Sequence, residues 1–155
     1  MLTAALALSS AALAATPALE TTAVQVVAAP DSPVRLDSVK VLNTGSDPPV
    51  LLYASTNASD APLEVFTVMV FVFDSDGRLK ARQVAPGRRE LAAGETKYSA
   101  MVLDVGKIDP TDILMAGVDQ AQRAGSETWW RTDLRAIAEK AADAKRAAGA
   151  KPRGR

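Results

Sequence analysis

The chain has 155 residues, 48% of them apolar and 23% charged, with 18 basic and 18 acidic side chains and a formal charge of zero. That length suits one packed core with terminal extensions, and the composition excludes a chain disordered throughout. There is no cysteine and no histidine, which excludes disulfides, thiolate nucleophiles, metal sites built on sulfur or imidazole, and every catalytic triad that needs histidine.

Residues 1–15 open an alanine- and leucine-rich run that continues through Ala12 and Ala14 to Thr16-Pro17, and they read as a signal peptide although no lysine or arginine precedes the run. The run is shorter than the roughly 20 apolar residues a membrane helix needs. The expectation is therefore an exported protein, periplasmic or extracellular, with no integral membrane span. Residues 16–33, small and polar with Pro30 and Pro33, read as a linker or irregular leading segment.

Residues 34–131 have the pattern of a β domain. Val34 to Leu42 alternates but slips phase near Asp37 and Ser38, which predicts a bulge or a strand that switches sheets. Val50 to Asn57 predicts a second strand, with ASDAP as the turn after it. Leu63 to Phe73 is apolar at nearly every position and rich in valine, so it predicts a central strand covered on both faces. DSDG (Asp74 to Gly77) supplies a hairpin turn, and RLKARQV returns as a polar strand near an edge. APGRRELAAGET reads as a surface connection. Thr96 to Asp104 and Ile113 to Gln122 read as further strands, and Glu127 to Arg131 closes a terminal hairpin. About seven strands without crossover helices predict a mainly β, antiparallel sandwich.

Residues 132–148 switch to helical period, with Thr132 as N-cap and Gly149 and Pro152 as terminators. The apolar stripe Leu134, Ile137, Ala138 and Ala141 has only two large side chains, which predicts a loosely docked or projecting helix, frayed after Ala148. Residues 149–155 read as a disordered basic tail. Residues 131–155 together hold eight basic against three acidic side chains.

From Val50 to Trp130 the chain resembles the small immunoglobulin-like or fibronectin-type-III-like domains of exported bacterial proteins. The resemblance rests on the strand ending at Asn57 with its turn ASDAPL, on FDSDGRL, on LAAGETKYS, and on a final hairpin carrying a tryptophan. It implies an immunoglobulin-like sandwich and transfers no catalytic residue. The disulfide pair and the core tryptophan of the antibody branch are absent.

Few residues carry candidate chemistry. Asp74 and Asp76 resemble the start of a calcium loop, but two cations follow within RLKA, so a plain turn is expected and no metal or cofactor. Asp104, Asp109, Asp112 and Asp119 are the material for paired-carboxylate hydrolysis, yet aspartate beside proline or glycine is ordinary turn chemistry. The basic tail is interleaved with Asp133, Glu139 and Asp143 and has no aromatic residue to stack bases, so no nucleic acid partner is expected. Tyr53 and Tyr98 read as core-edge residues with the hydroxyl at the rim.

Trp129 and Trp130 are the candidate binding residues. Neighbours on a strand point to opposite faces, so one of the two enters the core. The other packs beneath the C-terminal helix against Leu134 or Ile137, the favoured alternative, or stands exposed as an anchor for a partner or a sugar. The functional expectation is a non-catalytic exported module that contacts another protein, the rival being a small carbohydrate- or cell-wall-polymer-binding domain.

Overall fold

The computed structural model describes residues 20–43, 47–85 and 88–149. Within them the chain is mainly β. The strands are β1 (Glu20–Ala23), β2 (Gln25–Val26), β3 (Val34–Asn43), β4 (Val50–Asn57), β5 (Leu63–Phe73), β6 (Leu79–Ala85), β7 (Arg88–Leu91), β8 (Thr96–Val102), β9 (Ile113–Arg123) and β10 (Trp129–Arg131), and the helix α1 (Leu134–Gly149) follows them. One sheet has the order β1-β3-β4-β8 and the other β10-β9-β5-β6, with β2 added to β9 and β7 to β5.

Alternation and valine content locate the long strands, and β4 and β5 span the expected residues. The phase slip in β3 is a bulge: the register with β4 shifts between Asp37 and Lys40, and Ser38 adopts a φ of 50°. The DSDG turn joins β5 to β6 with Gly77 at a φ of 79°, and Asp74 Oδ1 accepts from the N–H groups of Asp76 and Arg78. Three strands fall where irregular chain was expected, β1 and β2 within residues 16–33 and β7 in the connection after β6. They are short, and β1 and β2 are mostly exposed, so they carry no alternation to read. Their main-chain groups complete the ladders of β3, β9 and β5. The β2–β9 pair is parallel, which departs from a wholly antiparallel arrangement.

The apolar run of β5 divides its side chains between two cores. Phe66, Val68, Val70 and Val72 join Leu114, Ala116 and Val118 of β9 in one cluster, which also takes Val34, Val41, Leu51 and Tyr53 from the first sheet. Phe71 and Phe73 turn the other way, with Ile113, Met115 and Val27, and there Leu134, Ala138 and Ala142 of α1 cover them.

This corrects the expectation of a loose or projecting helix. The three residues recur once per turn and are at most 1% exposed, and the alanines let the helix backbone come close to the two phenylalanine rings, whose centroids are 6.2 Å apart. Small size at these positions brings contact rather than weak docking. Both ends are also tied. Asp133, one residue beyond the expected cap Thr132, accepts from the Ala136 N–H at Oδ1 (3.0 Å), while the Thr132 N–H donates to the Asp119 carbonyl. At the far end the Arg146 guanidinium donates to the Asp76 carbonyl in the β5–β6 turn (3.1 Å). The signal-peptide reading of residues 1–15 and the tail beyond Gly149 lie outside the described residues.

Gly117 shows how tight this face is. A Cβ there would collide with the Val27 carbonyl oxygen and stand 2.8 Å from Leu134 Cδ1, so β2, β9 and α1 meet at a point that admits only hydrogen. The Gly117→Ala variant is expected to lose about 3 kcal/mol of unfolding free energy, measured by urea denaturation. A loss below about 0.5 kcal/mol would mean that α1 and β2 do not close on β9.

Candidate functional site

β4 and β8 are apolar on both sides of their pleat, but among the described residues one side is covered and the other opens toward solvent along β8. Leu51, Tyr53 and Met101 join the shared cluster. Their neighbours Val50, Leu52, Ala100 and Val102 occupy the opposite face, in the register Leu42↔Val50↔Val102 and Lys40↔Leu52↔Ala100. Tyr98 lies on the same face, paired with Ala54. It is 84% exposed and Val102 59%, the two most exposed large apolar side chains among the described residues. A concavity of ≈ 610 Å³ opens here, with Ser38, Lys40, Leu52, Tyr98 and Ala100 among its lining residues.

The bulge in β3 shapes that concavity. Asp37 next to it accepts from Arg35 Nε (2.8 Å) and from Thr56 Oγ1 (2.7 Å), and the Thr56 hydroxyl also meets Thr96 Oγ1 at 2.7 Å. One hydrogen-bonded network thus crosses β3, β4 and β8 beside Tyr98. The Arg35 guanidinium, and after it the Thr56 hydroxyl, holds the Asp37 carboxyl below the usual aspartate range.

The tryptophans sit elsewhere. Trp130 pairs with Ala121, which faces Phe66, and packs against the shared cluster. It is the one that turns inward, and its indole N–H donates to Asp31 Oδ2 at 3.1 Å. Trp129 takes the other face of β10, half-buried, with the Arg131 guanidinium 5.7 Å from its ring centroid. The apolar cluster beneath α1 is built from Phe71, Phe73, Ile113, Met115 and Val27, and neither tryptophan belongs to it. Both line a second concavity of ≈ 500 Å³ with Asp31, Leu63, Arg123 and Thr128.

Of the carboxylates raised by the sequence, Asp109 and Asp112 hold a loop and Asp119 joins two strands. Lys80 Nζ bonds both Asp109 (3.1 Å) and Asp112 (2.6 Å), and this holds the Asp109 carboxyl below its ordinary range. Asp119 accepts from the Thr67 hydroxyl. The main-chain N–H of Asp104 donates to the Gln83 side chain (2.7 Å). Among the described residues no group of three acidic side chains is placed to hold a metal ion, and no helix is long and apolar enough to cross a membrane.

No family model, curated protein or solved structure matches the chain. Alternation in the sequence points to the tryptophans, whereas the most open aromatic residue is Tyr98, far more exposed than a core-edge residue. Its signal was present: Met101 and Leu103 share one parity of β8 and its continuation, and Tyr98, Ala100 and Val102 share the other.

Protonation checks the network beside Tyr98. Because the folded-state carboxyl of Asp37 is lowered, its contribution is complete above the unfolded value of about 4 and is lost as pH falls through the folded value. Melting temperature is expected to drop more steeply below about pH 4 in the native chain than in Asp37→Asn. Parallel acid limbs would remove the network from the account.

Proposed function

We propose that the chain is a non-catalytic, exported interaction module that contacts another protein through the open face of the first sheet. The single observation that carries this reading is the unpaired apolar surface of β8 and β4, with Tyr98 at 84% exposure, beside a network that fixes its backbone. Exposed aromatic side chains on a rigid sheet are the usual anchors of protein interfaces. Export rests on the sequence of residues 1–15.

The fold we infer is an immunoglobulin-like sandwich of the fibronectin-type-III kind. The order β3-β4-β8 in one sheet and β10-β9-β5-β6 in the other supports it, as does the apolar cluster drawn from both sheets. The non-catalytic reading is supported by the aspartates. A hydrolytic acid needs a raised pKa, whereas Asp109 is pulled down by Lys80.

A second reading is a carbohydrate-binding domain. The concavity that Trp129 and Trp130 share with Asp31, Arg123 and Thr128 favours it, since sugars stack on indole faces and bond to carboxylates and hydroxyls. Against it, the Trp130 indole N–H is occupied by Asp31 and Arg131 stands over Trp129.

Site-specific photocrosslinking separates the two. A benzophenone side chain at position 98 is expected to give protein adducts in the producing cells, and the same group at exposed Lys140 none. Adducts equal at both positions, or binding to a polysaccharide that Trp129→Ala abolishes, would contradict the interaction reading.

A further inference from the structure

β8 is an edge strand. Its one sheet neighbour among the described residues is β4, and the direction of its main-chain groups follows from both ends. The Asn57 N–H donates to the Glu95 carbonyl, and the Leu103 N–H to the Pro49 carbonyl. Residues 95, 97, 99, 101 and 103 therefore turn toward β4, because antiparallel ladders alternate. Thr96, Tyr98 and Ala100 turn their N–H and C=O groups outward. At Val102 the same parity holds, and its carbonyl accepts from Gln83 Nε2 at 2.9 Å, which closes that end of the edge.

Edges are commonly guarded by charge, proline or a bulge. β6, the edge of the other sheet, carries Lys80 and Arg82. Over the same length β8 has one charge, Lys97, and it is held within the chain by the Glu90 carbonyl (2.6 Å) and by Glu95 (3.4 Å). The outward positions are Thr96, Tyr98, Ala100 and Val102, without charge.

We propose that β8 pairs with β8 of a second copy, antiparallel, about a two-fold axis at Tyr98. In that register Tyr98 exchanges its two main-chain bonds with Tyr98 of the other copy, and Thr96 and Ala100 exchange theirs with each other's counterparts. The two tyrosine rings stand side by side on the open face, a favourable cross-strand pair. Lys97 opposes Ser99 and Glu95 opposes Met101, so no like charges stand directly opposite, and the two Lys97 side chains, diagonal to each other across the axis, are each held by Glu90 and Glu95 of their own copy. The formal charge of zero leaves no net repulsion between copies. A seven-residue edge covers less than the roughly 800 Å² per partner of a stable dimer, so the pair forms reversibly and with concentration. This deepens the interaction reading and rests on it by naming the partner.

Sedimentation equilibrium of the purified chain over a concentration series tests the pairing. The weight-average mass is expected to rise from one toward two copies, and to stay at one copy in both Tyr98→Lys and Ala100→Pro. Tyr98→Lys replaces an exposed side chain and Ala100→Pro removes an outward N–H in extended backbone that proline tolerates at an edge, so the far-ultraviolet circular dichroism of both is expected to match the native chain. Trp129→Ala is expected to dimerise normally. A native chain that stays monomeric across the series overturns the proposal, as does a Tyr98→Lys variant that is folded and dimerises like the native chain. Adducts from position 98 to other proteins with a monomeric native chain would sink the pairing alone and leave the interaction reading standing.

Discussion

A strand that is apolar on both sides of its pleat must be covered on both sides, and β5 imposes that requirement on everything around it. Its even-numbered residues from Phe66 to Val72 need the first sheet, and Phe71 and Phe73 need something else. The helix α1 meets the second need. Its Leu134, Ala138 and Ala142 are as deeply buried as the core of either sheet, and the absence of a side chain at Gly117 lets it settle there. Covering a large apolar side chain contributes roughly 1.5 to 3 kcal/mol, so the helix belongs to the fold as much as β10 does.

The first sheet is built differently. β4 and β8 also carry apolar residues on both faces, but no element among the described residues covers the second face, where Leu52, Ala100, Val102 and Tyr98 lie. Exposed single apolar residues are ordinary, whereas a contiguous row beside a tyrosine marks a contact surface. The contrast between the two faces is the basis of the functional reading. One face has its cover within the described residues, and on the other they leave an apolar row open, the surface through which we propose a partner binds.

The long strands were legible because their signals are local: valine content in β5, alternation in β4, Asp-Gly in the turn after Phe73. The irregularity at Ser38 was legible for the same reason, since a change of phase in VRLDSVKVL means a bulge or a strand that switches sheets, and the register with β4 decides for the bulge. β1, β2 and β7 were not, because they are held by the main-chain groups of strands distant in sequence and leave almost no side-chain pattern of their own. The docking of α1 does not follow from the side-chain volume along its stripe. Ala138 and Ala142 contribute little area, yet their small size admits the phenylalanine rings of β5, a property of the partner surface that the helix sequence does not contain. The candidate site was half legible. That one tryptophan turns inward followed from alternation, but the choice of Trp130 depends on its pairing with Ala121, and the exposure of Tyr98 depends on β8 lying at the end of its sheet.

Hydrogen exchange of backbone amides in the monomer tests the contrast between the faces most directly. The account expects the amides from Ile137 to Ala142 to exchange only with global unfolding, as those of β5 and β9 do, while the outward amides of Tyr98 and Ala100 exchange quickly. Rapid exchange along α1 together with protection at Tyr98 and Ala100 would reverse the assignment of covered and open faces and contradict it.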